Sequence, residues 1–284
     1  MPSAVIDGIA TRYEIIGSGP PLLMYAPGGF NAVVETWSTQ GIYAGIRLLD
    51  HLPLHFTCIA FDRRECGQSG GRVEPVTWQH FVTQGKGLLD HLGIKRAHLI
   101  GGCMGCSPVA AFGVAHPDMV LSMVLYWPVG GAKYRVSSQQ RFAEHQKFVL
   151  SDGLDGVVAL VAKEGKPFGA DPRGGPWASV IKRDSAFAAA FVKQDRAHYA
   201  SICEGMCRAL FDRDTAPGAE AEELMRVDVP ALVVPGHDAS HATSAARYLE
   251  ECLPRSQYWD MAVEQQTEAP TNARILEFLA KVKA

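Results

Sequence analysis

Long apolar runs are missing from this chain. None approaches the ~20 residues that a bilayer span requires, so no membrane partner is expected. A dominant charge is missing too: 27 Lys and Arg stand against 30 Asp and Glu, with the signs mixed along the chain. The formal net charge of −3 argues against nucleic acid or an anionic surface as partner. The stretch MPSAVIDGIATRYEI has no basic start leading into an apolar core, so no secretion signal is expected. Seven cysteines fall without framework-like spacing in 284 residues. They read as reduced thiols in a cytoplasmic setting rather than a disulfide scaffold. Internal repeats and low-complexity segments are absent, and no histidine follows His241.

What is present is a strand-and-helix alternation with enough apolar content, 47%, to bury a sizeable core. Strands are expected near 10–16, 22–25, 56–61, 97–100, 119–126, 229–234 and 256–259. Helical patterns are expected over 43–52, 77–92, 108–115, 244–252 and 272–283. From Trp127 the rhythm changes, and residues 128–223 read as helices punctuated by Gly- and Pro-rich turns. The expected fold is α/β: a mostly parallel twisted sheet with helices on both faces. The expected division is a core of 1–127 and 224–284, with 128–223 inserted as a helical cap or lid.

The most informative stretch is His98-Leu-Ile-Gly-Gly-Cys-Met-Gly-Cys106, a G-x-C-x-G sequence between an apolar strand and a small-residue helix. Such a corner is a nucleophile elbow, which lifts one side chain above a parallel sheet. Cys103 is therefore the candidate nucleophile. A helix N-terminus beside it favours an anion, and a thiolate needs less help from a base than a serine does. The opposing reading is a buried inert cysteine. Cys103-Met104-Gly105-Cys106 is also C-x-x-C, the local layout of a thiol redox site. Cys203 and Cys207, four apart, share a helix face, but paired helix cysteines are more often core than metal ligands, and no metal is expected.

In this order the pieces resemble the α/β-hydrolase superfamily along nearly the whole chain. Four features carry the resemblance: the Gly28-Gly29-Phe30 turn, the Asp62-Arg63-x-x-x-Gly67-x-Ser69 loop, the elbow, and the late strand ending at Asp238. The resemblance implies oxyanion donors in the backbone N–H groups of Phe30 and Met104, and Asp238 as the acid. The family's histidine position falls near Val263, where Ala262-Val263-Glu264-Gln265 stands instead. Two substitutes are open: His241 (less so His237) from the Asp238 loop, or Glu264. A third reading has no histidine base at all.

Gly29, Trp37 and Trp127 are expected to flank the substrate. The lid aromatics Trp177, Phe187, Phe191 and Tyr199 read as packing. Arg63-Arg64-Glu65 reads either as a site for an acidic substrate or as surface ion pairs. The leading expectation is a cofactor-free enzyme. Cys103 would act on an ester, lactone, thioester or C–C type activated carbonyl of a small-molecule substrate. The alternatives are a non-catalytic ligand-binding protein on this scaffold and a redox protein using Cys103 and Cys106. A homo-oligomer is left open.

Overall fold

A computed structural model of the chain describes residues 1–282. It contains one eight-stranded sheet in the order β1-β2-β4-β3-β5-β6-β7-β8. The strands are β1 (Ser3–Ile6), β2 (Ile9–Ile16), β3 (Pro21–Tyr25), β4 (Thr57–Phe61), β5 (Ala97–Gly102), β6 (Val120–Tyr126), β7 (Ala231–Val234) and β8 (Ser256–Tyr258). β2 pairs antiparallel with β1 and β4; every other neighbour is parallel. The parallel strands are near-continuous apolar runs because both faces are covered. In β3, Leu22 and Met24 enter one packed layer while Leu23 and Tyr25 enter the other, the period-two alternation of a strand.

The expected α/β architecture is present, with local corrections. β1 was not anticipated. It is joined to β2 by a tight hairpin at Asp7-Gly8, both in left-handed backbone (φ 49° and 73°), which is the Asp-Gly turn that suits a two-residue hairpin. The helix expected over 43–52 is broken into Gly41–Ile46 and Leu48–His51 by Arg47, whose φ is 52°. The closing helix begins earlier than expected, at Glu268, and runs to Ala280; Lys283, included in the expectation, lies outside the described residues.

The main covering helices are α1 (Trp78–His91), α2 (Cys106–Ala115), α3 (Ala132–Glu164), α4 (Arg196–Leu210), α5 (Thr243–Cys252) and α6 (Glu268–Ala280). α3 follows β6, kinks at Gly153 and packs on α4. Between β6 and β7 the chain contains helices and turns but no strand. Trp177, Phe191 and Tyr199 are fully packed there, with ring centroids 5.2–5.7 Å apart. Among the described residues no helix is long and apolar enough to cross a membrane.

Two buried histidines tie the layers together as neutral rings. His98 on β5 shares a 2.8 Å hydrogen bond with the Ser122 hydroxyl on β6. His145 on α3 sits between the Arg173 carbonyl (3.0 Å) and the Tyr199 hydroxyl (2.6 Å). Burial lowers both to about 4. The unfolded chain takes up these protons near 6.5, so each ring stabilises the fold fully above that value and the contribution is lost as pH falls toward 4. Urea unfolding between pH 7 and 4.5 should therefore show stability falling. His98→Asn, which keeps a polar atom facing Ser122, should remove about 1 kcal/mol per pH unit from that slope.

Candidate active site

Cys103 stands at the turn between β5 and α2, in left-handed backbone with φ 54°. Local packing forces this corner. A Cβ on Gly101 would lie 2.3 Å from the Gly105 carbonyl oxygen, and one on Gly105 would lie 2.3 Å from that of Tyr25. Only glycines permit so close an approach. The corner presents Cys103 to a cavity of about 230 Å³.

His241 meets it there. The Nδ1–H of His241 donates to Asp238 at 2.8 Å. Nε2 makes no hydrogen bond, and the ring shares the cavity wall with Cys103, close enough for each group to shift the other's titration. The Asp238 carboxylate also accepts the backbone N–H groups of Ser240 (2.7 Å) and His241 (2.9 Å), closing the loop on itself. Burial would push the Cys103 thiol up, yet the His241 imidazolium and the backbone amides of Gly28 and Met104 outweigh it and bring the thiol below its ordinary value. Burial likewise opposes charge on His241, but Cys103 and Asp238 together raise it. Asp238 is lowered for the same reason: its partial burial is outweighed by the His241 imidazole and the two amides. Charge on either group therefore favours the opposite charge on the other.

Several neighbours hold this pair in place. The Trp127 ring packs against His241 at 5.3 Å. Its indole N–H donates to Gln266 Oε1 at 2.7 Å, and the Gln266 amide donates to the Pro235 carbonyl at 2.9 Å. Gly236 allows the contact, because a Cβ there would lie 2.6 Å from that of His241 and 2.9 Å from the Trp127 ring. On the other side, Arg63 donates to the carbonyls of Gly28 (2.6 Å) and Gly29. With those carbonyls engaged, the turn is free to direct an amide toward the sulfur.

Of the expected residues, Cys103, Asp238, His241, Met104, Phe30 and Gly29 come together. Others do not. Glu264 is exposed in a separate depression with His237, whose ring pairs with Thr243. Trp37 is fully buried against Tyr43 and does not line the cavity. Trp127 supports the histidine from behind rather than flanking a substrate. Among the amides of the Gly-Gly turn, Gly28's rather than Phe30's reaches the sulfur; Phe30 gives its ring to the cavity wall, edge-on to Phe168 at 5.5 Å.

Arg63, Arg64 and Glu65 are buried, not surface, residues. Arg63 braces the turn and Arg64 pairs with Glu65 and Glu74. Cys106 donates its S–H to the Gly101 and Tyr126 carbonyls at 3.1 and 3.4 Å, and burial raises it well above an ordinary thiol. That is a poor resolving thiol. Among the described residues no group of three or more His, Cys, Asp or Glu is arranged to hold a metal. The cavity-facing Tyr134, Ser138, Arg141, Phe142 and Phe211 were not singled out from sequence; a helical spacing from 134 to 142 was their only signal.

The sheet that carries this corner has a counterpart among known folds. The family model for the alpha/beta hydrolase fold matches residues 21–163, half of the chain. The chain belongs to the α/β-hydrolase fold family. It is 32% identical over 127 residues to the dihydrolipoyllysine-residue acetyltransferase component of the acetoin cleaving system of Cupriavidus necator, a match covering 45% of this chain and 32% of that protein. It is 44% identical over 45 residues to the 2-hydroxy-6-oxo-6-phenylhexa-2,4-dienoate hydrolase of Comamonas testosteroni, covering 16% of each. The chain thus spans a third or less of the length of these curated relatives. Among solved structures it is similar to the enol-lactonase of Burkholderia xenovorans LB400, with a TM-score of 0.62 and 22% identity over 98% of this chain and 100% of that one. That likeness concerns the fold.

The pairing at this hydrolase-fold site is testable by thiol titration. With His241 present, Cys103 should alkylate readily with iodoacetamide below pH 7. In His241→Gln the thiol loses its counter-ion, burial dominates, and its pKa should rise above the ordinary value. Labelling at pH 6.5 should then slow at least tenfold, about 1.4 kcal/mol, as followed by intact mass.

Proposed function

We propose that this protein is a cofactor-independent hydrolase or acyl-transfer enzyme. Cys103 is its nucleophile, His241 its general acid and base, and Asp238 the residue that orients the histidine. The observation that carries this reading is the thiol of a strained corner facing a histidine whose far nitrogen is held by a carboxylate. The substrate class is an activated carbonyl: an ester, lactone, thioester or C–C type compound.

The chemistry follows from the groups present. The Cys103 thiolate adds to the carbonyl carbon, and the carbonyl electron pair moves onto oxygen. Backbone N–H groups of Met104 and of the Gly28-Gly29 turn are the nearest donors for that oxyanion. The intermediate collapses to an S-acyl (thioester) enzyme as the leaving group departs with the proton of His241 Nε2. Neutral His241 then takes a proton from water or from an acceptor alcohol, which attacks the thioester carbonyl carbon, and the Cys103 thiolate leaves. Asp238 stays ionised throughout, fixing the tautomer and stabilising each imidazolium. In this reading residues 128–223 act as a cap, since Tyr134, Phe142, Phe168 and Phe211 line the cavity from that side.

A histidine beside the thiol favours catalysis over ligand binding alone, whose motive was the lack of a base. The disposition of Cys106 disfavours disulfide exchange. The curated relatives that act on carbonyl compounds fit the same substrate class.

Mixing the enzyme with p-nitrophenyl acetate should release a burst of p-nitrophenolate equal to the enzyme concentration. Mass spectrometry of quenched samples should place an acetyl group on Cys103. Cys103→Ala should show neither burst nor adduct, and Asp238→Asn should slow turnover by roughly 10²- to 10⁴-fold. A wild-type thiol that alkylates with iodoacetamide but never acquires an acyl group would overturn the proposal.

A further inference from the structure

The cavity is unevenly furnished. Its body is aromatic, from Phe30, Phe142, Phe168 and Phe211. Its polar groups on the side away from the sheet come from one helical face of α3, where Tyr134, Ser138 and Arg141 recur at i, i+4 and i+7. Ser138 is 3% exposed, and its hydroxyl is buried with no hydrogen-bond partner. A buried hydroxyl left unpaired costs free energy unless something arrives to pair with it.

Among the described residues, Arg141 is the only Lys or Arg on the cavity wall, and no Asp or Glu lines it. Its neighbours in the same segment are neutralised: Arg135 pairs with Asp214 at 2.6 Å and Arg173 with Asp171 at 2.7 Å. Arg141 joins no such ion pair among the described residues. Arg141 and Arg63 both place positive potential at the Tyr134 hydroxyl. The Ser138 side chain lies against that Tyr134 hydroxyl, and a planar guanidinium fork beside this pair of hydroxyls matches the two oxygens of a carboxylate. A lone guanidinium suits a monoanion better than a phosphate dianion.

We propose that Arg141 and Ser138 form a carboxylate subsite, so that the substrate is a small acyl compound with an acid group at the end remote from its reactive carbonyl. The assignment rests on the acyl-transfer reading of Cys103. The carboxylate takes no part in bond changes. It fixes the acyl chain along the aromatic walls with the carbonyl at the thiol.

Two measurements separate this proposal from that reading. In the first, the p-nitrophenyl half-esters of adipic and suberic acid are compared with their methyl-capped twins as acylating agents of Cys103. The wild type should favour the free acids at least tenfold in kcat/KM. Arg141→Gln should bring that ratio near unity, Ser138→Ala should lower it, and Arg141→Lys should restore part of it. In the second, monomethyl adipate and dimethyl adipate are titrated calorimetrically into Cys103→Ala, with and without Arg141→Gln. Monomethyl adipate should bind and the diester should not, and the added Arg141→Gln should abolish binding. If acylation fails but calorimetry behaves this way, the carboxylate subsite stands while the acyl-transfer reading falls. Equal binding of acid and diester, or an acid preference that survives Arg141→Gln, would overturn the subsite.

Discussion

A thiolate buried in protein persists only when a cation lies against it. Taken singly, a charged Cys103 or a charged His241 would be strongly disfavoured in its surroundings. Together, and with Asp238 hydrogen-bonded to the imidazole, each shifts its neighbour toward the charge that complements its own. The N-terminus of α2 and the amides of Gly28 and Met104 add fixed partial positive charge at the sulfur. The other features of the site serve this row of charges. The glycines of the elbow let the sulfur rise into it, Trp127 backs the imidazole, and Arg63 holds the turn that supplies an amide.

The parts of the fold written in local patterning were legible. The apolar strands, the G-x-C-x-G corner and the change of rhythm after Trp127 follow from spacing alone. The β1–β2 hairpin was also written, in Asp7-Gly8, but its strand is short and alternates with exposed residues, so it carried little apolar signal. What could not be read was direction. Trp37 sits in the short helix Thr36–Thr39 and Trp127 in the loop after β6, yet the first is sealed into the layer beneath and the second turned against His241. Arg63 looked like a surface charge, because nothing in its neighbours in sequence reveals that two carbonyls more than thirty residues away would enclose it. Glu264 shared a sequence region with the family's histidine position but lines a different depression from Cys103.

His241 was the most instructive position. Sequence offered it as one of several bases, and the deciding fact is conformational. Asp238 accepts the amides of Ser240 and His241, which curls the loop so that the ring three residues later returns to the carboxylate. A second tie comes from the loop after β6, where the Gly130 N–H donates to the Ser240 carbonyl at 3.0 Å. The His241 loop is therefore anchored from two directions.

The tail segment thereby changes occupation. Gln266, next to Ala262-Val263-Glu264-Gln265, is fully enclosed. It ties Trp127, Tyr126 and the Pro235 carbonyl into one knot. Asp238 and His241 are carried on a single four-residue coil, so any drift of that coil moves both by the same vector and leaves their mutual alignment intact. Only the gap to sulfur remains to be regulated, and the knot at Gln266 is the tether that sets it.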